Sequence, residues 1–215
     1  MFFNKHLKYG KISGAAIKQM LATASVGTDW FMDNGVKSVP PKSFFEDLYI
    51  RAFIVVFSGH MFRHLSGGSN LPTEKKGEAF KETCQMIDSS GELYRLHLRT
   101  TKDLANDPDV IKARDDATTL FGVMHNKLRA DDPDPLLREA RADVANSNGV
   151  LDLETAVFAR SLLNVVQSRF VSPKPDSDRE TKLESHTCPY CAEEIKPKAI
   201  KCKHCGEWLE KSENV

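Results

Sequence analysis

Long apolar runs are absent from this 215-residue chain, and so is an excess of charge of either sign. The longest apolar stretch, Ala52 to Phe57, is far shorter than the roughly 20 residues that a membrane-spanning helix needs. The chain has 30 lysines and arginines against 30 aspartates and glutamates, so no net field draws the whole molecule to nucleic acid or to an anionic membrane. We therefore expect no membrane span, and any nucleic-acid binding would have to be local.

Cysteine is also scarce, and four of the five cysteines stand between residues 188 and 205 as two CxxC pairs. The chain begins with a basic segment, but Lys18 and Gln19 interrupt its apolar part and no clean cleavage site follows, so we expect no secretory signal. An organelle presequence is the alternative, and the lack of arginine in this segment argues against it. Paired thiols without an export signal fit a reducing compartment, which predicts a cytoplasmic location.

Residues 172–187, SPKPDSDRETKLESHT, differ in composition from the rest of the chain. They contain two prolines, alternating charges and a single large aliphatic residue, Leu183, so they cannot bury enough apolar surface to order themselves. This composition predicts three parts: a helical domain at 1–171, a flexible linker at 172–187 and a small module at 188–210.

The first part has apolar residues at the three- and four-residue spacings of helices. Ser43 and Glu46 form a capping-box pattern, which predicts that a central helix begins there and ends at Gly67 and Gly68. Pro72 and Thr73 are expected to start the next helix. Its apolar stripe continues to Leu98, although Gly91 is a potential break.

Three aspartates mark the starts of later helices. Asp107 and Asp134 each precede a proline, the expected order of an N-cap and a first helical residue. Asp152 begins the last predicted helix. No run of alternating apolar and polar residues indicates a sheet in this domain, so the sequence predicts an all-α helical bundle of about six helices.

The two CxxC pairs are Cys188 with Cys191 and Cys202 with Cys205, separated by ten residues. Each CxxC can direct two thiolates to one point, and ten residues suffice for a short β-hairpin that brings the two turns around a tetrahedral ion. We therefore predict one structural zinc ion. Disulfides, a redox motif, an iron centre or ligation by His204 are weaker alternatives.

The segment CPYCAEEIKPKAIKCKHCGEWL, from Cys188 to Leu209, resembles the short zinc-ribbon module common in bacterial proteins. The resemblance lies in CPxC, an isoleucine on the first strand, CxxCG and a closing apolar residue. It implies a metal-binding module that is often appended to unrelated domains, and it implies no reaction. For Met1 to Val171 no resemblance to a known family is found.

The module also has a lysine-rich segment next to an aromatic residue. A cationic surface that contacts phosphate or stacks a base would use five residues: Lys196, Lys198, Lys201, Lys203 and Trp208. Glutamates in the same module nearly cancel this charge, so a protein contact or a purely structural role is favoured over nucleic-acid binding.

The helical domain has few candidate catalytic residues. His60 and His64 lie one turn apart and either share a metal or stand at a helix border, and Cys84 is expected in the core. Asp115 and Asp116 are expected on a solvated surface.

We therefore predict a zinc-binding, non-enzymatic adaptor or regulatory protein whose ribbon contacts a protein partner or nucleic acid. The alternative is an enzyme with an unrecognised active site in the helical domain. A deep cleft lined by His60, His64, His97 or His125 with nearby carboxylates would favour this alternative.

Overall fold

The computed structural model describes residues 4–31, 39–99, 102–128, 132–171, 186–188, 190–191, 193–195 and 201–208. The chain divides into two compact units, Met1–Pro173 and Lys174–Val215, with the division inside the predicted linker. Residues 172–185 of that linker lie outside the described ranges. No helix in these ranges is long and apolar enough to cross a membrane.

The first unit is helical, as the sequence predicts. Its helices are α1 (Lys5–Ala24), α2 (Lys42–Glu46), α3 (Leu48–Leu65), α4 (Thr73–Ile87), α5 (Glu92–Arg99), α6 (Pro108–Met124) and α7 (Pro135–Asn146). A 3-10 turn, Lys102–Asn106, precedes α6. The last stretch consists of α8 (Leu153–Phe158), a π-helical segment Ala159–Leu163, α9 (Asn164–Val166) and a second π-helical segment Gln167–Val171. The last stretch runs without a break from Leu153 to Val171, so the described residues contain eight helices when it is counted as one and the 3-10 turn is left out.

The central helix is α3, and it begins later than predicted. Ser43 and Glu46 lie within the short α2, which begins after Pro41 without a side-chain cap. Asp47 interrupts the helix with an extended backbone, and its carboxylate accepts a hydrogen bond from the N–H of Ile50. The predicted capping box is therefore wrong, because the cap at Asp47 starts α3 instead.

The other helix boundaries mostly follow local signals. The carboxylates of Asp107, Asp134 and Asp152 accept hydrogen bonds from backbone N–H groups at the starts of α6, α7 and α8. Gly91, with a φ of +77°, separates α4 from α5. The breaks at Gly91 and Asp47 explain why the bundle has eight helices where about six were predicted.

The core of this unit surrounds α3, which packs against α1 and α6. Fully buried rings on α3 include Tyr49, Phe53 and Phe57, and these three rings follow one another in stacked order. Cys84 of α4 is also fully buried, as predicted, and burial raises the pKa of its thiol to about 12. The other large apolar side chains of α3 are also buried, except for a half-buried set: Leu48, Val55, Val56 and Leu65.

Asp116 of α6 lies in this core, although we predicted it on the solvated surface. It is 5% exposed, and its Oδ2 accepts hydrogen bonds from the Tyr49 hydroxyl at 2.7 Å and from Lys112 Nζ at 2.8 Å. The prediction is wrong because a buried carboxylate can be stabilised by partners on another helix, which sequence spacing does not show.

The second unit has two short strands, β1 (His186–Thr187) and β2 (Glu194–Ile195), which pair antiparallel. Lys201 and Trp208 form a separate antiparallel bridge. His186 and Thr187, assigned to the linker from sequence, are thus paired. The β-hairpin predicted between the two CxxC pairs is not seen: the described pairing flanks each CxxC, and residues 196–200 lie outside the described ranges.

Candidate metal centre

The four cysteines of the second unit converge on one point. Their Sγ atoms all lie within 4.8 Å of one another. Two of the Sγ–Sγ distances, Cys188 to Cys205 and Cys191 to Cys202, are 3.7 Å. All four are free thiols. The cluster could therefore hold a metal ion, and each close contact joins one CxxC to the other.

The spacing of the thiols can be compared with a tetrahedral metal site. Zinc binds thiolate sulfur at about 2.3 Å, and ligands at tetrahedral angles around such an ion stand about 3.8 Å apart. The two 3.7 Å distances match this value. The other Sγ–Sγ distances are at most 4.8 Å, so small side-chain movements would bring them to the tetrahedral value as well.

Two equivalent turns position the thiols. Residues 187–195, TCPYCAEEI, and 201–209, KCKHCGEWL, align with an offset of 14 residues. In the first turn the N–H of Cys188 donates to the carbonyl of Glu193, and in the second the N–H of Cys202 donates to the carbonyl of Glu207, both at 2.9 Å. The strand pairs that flank the turns, Thr187 with Glu194 and Lys201 with Trp208, are equivalent too. Sequence analysis missed this repeat, because the aligned segments share only two cysteines and one glutamate.

The electrostatics of the cluster favour a bound cation. Backbone N–H groups of Cys205 and His204 lower the pKa of Cys202 to about 6. For Cys191 the Glu193 N–H acts to lower the pKa, but burial and the neighbouring thiols outweigh it and raise the value to about 12. Thiols this close oppose one another's ionisation, and a divalent ion removes that opposition by accepting the thiolates as ligands.

The predicted contact residues of this unit are only partly described. Trp208 is 65% exposed, and Lys201 Nζ lies 5.1 Å from the centre of its indole ring. Lys203 is exposed, whereas Lys196 and Lys198 lie outside the described residues. Tyr190, in the first CxxC turn, is 60% exposed and was missed from sequence. Its position between the two cysteines of a CxxC turn was the available signal.

His204 occupies the position in the second turn that Tyr190 occupies in the first. Its side chain is exposed, and its backbone N–H points to Cys202 Sγ at 3.4 Å. The four sulfurs make up the cluster without its imidazole. His204 therefore contributes a backbone hydrogen bond to a thiolate rather than a ligand atom.

The histidines of the helical unit have other surroundings. His60 Nε2 lies 3.0 Å from the Thr118 hydroxyl, and its ring stacks on Phe121. The ring of His64 lies 4.3 Å from that of His125, centre to centre. Among the described residues these histidines do not belong to a group of three or more metal-ligating side chains. The hypothesis that His60 and His64 share a metal ion gains no support from these contacts.

A cavity of about 910 Å³ between α6, α7 and the last helical stretch contains several carboxylates. Asp134 caps α7, Asp116 holds Tyr49 and Lys112, and Arg160 binds acids on α7. His97 lines a second cavity of about 450 Å³ and His60 a third of about 300 Å³. None of these three cavities combines a histidine with a carboxylate among its described lining residues, an arrangement that would have favoured the enzyme alternative.

Comparisons of the chain with protein-family models, with curated proteins and with solved structures found no match. Function is therefore inferred from the cysteine cluster and from the side chains exposed around it.

Proposed function

We propose that the four cysteines hold one structural zinc ion in a zinc ribbon, and that the protein is a non-enzymatic, cytoplasmic adaptor whose ribbon contacts a protein partner. The observation that carries the proposal is the convergence of four thiols within 4.8 Å at the end of the chain. In the proposed organisation the helical domain, residues 1–171, is joined by a flexible linker to this ribbon.

Zinc is the preferred ion for two chemical reasons. Four thiolates fill its tetrahedral coordination. Zinc also has no redox chemistry, so the site needs no further groups to control its oxidation state. The ion also supplies stability, because a unit of this size has too few apolar residues for a core of its own. Metal binding releases about 10–16 kcal/mol in comparable zinc peptides.

A protein partner is favoured by the exposed aromatic side chains around the site. Tyr190 and Trp208 are both more than half exposed. Large aromatic residues of this kind supply much of the binding energy at protein interfaces. A flexible linker would let the ribbon engage its partner while the helical domain supplies a second contact or assembly.

Binding of single-stranded nucleic acid is the second candidate. It is favoured by the placement of Lys201 over the Trp208 ring, because cationic and aromatic groups side by side can hold a phosphate and stack a base. The exposed Glu193 and Glu207 weigh against it, since they offset the positive charge of Lys201 and Lys203.

The metal proposal is tested by measuring zinc and iron in the purified, reduced full-length chain. We expect one zinc per chain in the wild type and in C84A, which removes the buried cysteine of α4. The double variant C188S/C202S should lose the ion, because it removes one ligand from each turn. Substoichiometric metal in the wild type, or full zinc occupancy in C188S/C202S, would contradict the proposal.

The adaptor proposal is tested with Y190A/W208A, which leaves all four cysteines in place. We expect this variant to keep its zinc but to lose the protein that co-purifies with the wild type. Oligonucleotide binding at two salt concentrations tests the second candidate, nucleic-acid binding. An affinity that falls steeply as salt rises would support it, because phosphate contacts weaken with salt. Equal capture of the partner by Y190A/W208A and by the wild type would exclude the ribbon as the contact surface.

A further inference from the structure

The cavity of about 300 Å³ lies between the second half of α3 and the segment that leads into α4. Val56 and Phe62 of α3 and Leu71 of the connecting segment provide apolar surface. Ser69 and Asn70 provide polar side chains on the same lining. The volume is at the lower end of the range of about 300–1,000 Å³ that is typical of small-molecule sites, so a small ligand is favoured.

Two cations, Arg63 of α3 and Lys76 of α4, line this cavity from its two sides. Their side chains are exposed, and neither makes an ion pair or a side-chain hydrogen bond with a residue that the structure describes. The two acids nearest to Lys76 along α4 do not offset them, because Glu78 contacts His6 and Glu74 does not line the cavity. The described lining therefore carries two positive charges and no carboxylate.

His60 shows the sign of the electrostatic potential at this place. Burial, and then the positive charge of Arg63, lower its pKa, and no described carboxylate opposes them. The imidazole is therefore neutral at pH 7, so it forms part of the wall while Arg63 and Lys76 supply the charge. A positive potential that is not compensated within the cavity favours an anionic ligand.

The N-terminus of α4 adds to this potential. The helix begins at Thr73, between the lining residues Leu71 and Lys76, and it has no side-chain cap. The free N–H groups and the dipole at a helix N-terminus favour a nearby negative charge. The helix end thus reinforces the effect of the two cations.

We propose that this cavity binds a small phosphate monoester with a short hydroxylated body, of the glycerol phosphate class. Such a phosphate carries about −1.5 to −2 charges at pH 7, which matches the two cations. Arg63 can bond two phosphate oxygens as a planar fork, and Lys76 acts as a point charge. Ser69 and Asn70 can bond the hydroxyl groups of the body.

A small molecule is favoured over an extended polyanion as the occupant. Nucleic acids and anionic membranes are bound by many cations spread over a surface, whereas the described lining has two, inside a small cavity. The chain as a whole also has no net charge to attract a polyanion. This site is independent of the proposed zinc ribbon.

The test uses glycerol 3-phosphate, titrated calorimetrically into the zinc-loaded full-length chain. We expect one saturable site per chain. Glycerol, which lacks the phosphate, should bind about tenfold more weakly or worse, as the loss of charge-assisted hydrogen bonds implies. R63Q and K76Q should each weaken glycerol 3-phosphate binding by about tenfold or more for the same reason. The matched control is K75Q, which removes an exposed lysine that does not line the cavity and should bind like the wild type.

Gly59 allows the cavity to be filled without disturbing the core. A Cβ added at this position on α3 has no heavy atom within 4 Å, and the residue lines the cavity. G59L should therefore keep the helical circular dichroism of the wild type and abolish binding. Its matched control is G77L, at a glycine of α4 with equally open surroundings that does not line the cavity, and this variant should bind like the wild type.

Several results would overturn the proposal. These are the absence of saturable binding, equal affinity for glycerol, equal losses in K75Q and K76Q, and unchanged binding in a folded G59L. A phosphoserine peptide that binds more tightly than glycerol 3-phosphate would also overturn it, because the ligand would then be a protein rather than a small molecule.

Discussion

Asp116 and Tyr49 form a buried polar contact between α6 and α3, with the charged groups of Lys112 and Arg169 each 5.8 Å from the centre of the Tyr49 ring. The Tyr49 hydroxyl donates to the carboxylate at 2.7 Å, and both residues are almost inaccessible to solvent. A carboxylate in this setting depends on its donors, because burial without a hydrogen bond is costly.

Removal of that hydroxyl in Y49F should lower the free energy of unfolding by about 1–3 kcal/mol, since the buried Asp116 carboxylate then loses one of the two side-chain donors described above. Tyr94, which is half-buried and has no hydroxyl hydrogen bond to a described residue, provides the matched control, and Y94F should change stability little. Guanidinium unfolding followed by circular dichroism measures both. Equal effects of the two substitutions would show that the Tyr49 hydroxyl contributes nothing specific.

The same contact predicts how stability changes at high pH. Burial, and then the charge of Asp116, raise the pKa of Tyr49 above its ordinary value of 10.0. The folded state therefore holds this proton more tightly than the unfolded state does, so the stabilisation is fully present below pH 10 and is lost as the pH rises above it. We expect the unfolding free energy to fall more steeply above pH 10 in the wild type than in Y49F.

At the scale of helices, the contact between α1 and α4 depends on two glycines. A Cβ added to Gly10 would lie 2.2 Å from the Ala79 carbonyl oxygen, and one added to Gly14 would lie 2.5 Å from Met86 Cβ and 2.8 Å from the Thr83 carbonyl oxygen. The Thr83 hydroxyl donates to the Gly10 carbonyl at 3.1 Å, which the close approach makes feasible. The two helices therefore pack backbone to backbone along this line.

We expect G10A and G14A each to destabilise the protein by about 1–3 kcal/mol, because the helices must separate to admit the methyl group. Gly77 lies within the partner helix α4, and an added Cβ there would have no heavy atom within 4 Å. G77A should instead stabilise by about 0.5–1 kcal/mol through its effect on backbone entropy. Thermal unfolding of the three variants checks the opposite signs, and a loss of stability in G77A comparable to that in G10A would contradict the packing explanation.

The helices also show which features sequence patterns can predict. The starts at Asp107, Asp134 and Asp152 were predicted correctly because an N-cap depends on a few neighbouring residues. The start of α3 was predicted incorrectly. Ser43 and Asp47 are both good N-cap residues, and the sequence does not show which of them caps the helix. Gly10 and Gly14 could not be recognised as contact residues, since their importance comes from the helix packed against them.

The candidate sites differ in the same way. The convergence of the four cysteines could be predicted because CxxC spacing constrains the sulfurs locally, and the geometry agrees with it. Arg51 and His97 both line the cavity of about 450 Å³ although they lie 46 positions apart on different helices, so no spacing rule predicts that they come together. Asp116 was assigned to the surface for the same reason, because its partner Tyr49 lies on another helix.

At the scale of the whole molecule, the proposed zinc ion would stabilise one unit and not the other. The helical unit has its own extensive apolar core around α3, whereas the residues buried in the described part of the cysteine-containing unit are Cys188 and Cys202 of the cysteine cluster. A structural metal contributes its binding free energy only to the part that folds around it.

We therefore expect a strong chelator to unfold the C-terminal unit while the helices remain. Trp208 and Trp30 lie in different units, so each can report on its own unit in a variant that lacks the other. In W30F the Trp208 fluorescence should change on chelation and recover when zinc is added back. In W208F the Trp30 fluorescence and the thermal midpoint of the helical signal should change little. C188S/C202S should resemble the chelated wild type from the start. Loss of the helical signal on chelation would mean that the helical unit needs the ion as well, because its apolar core would otherwise hold it folded without metal.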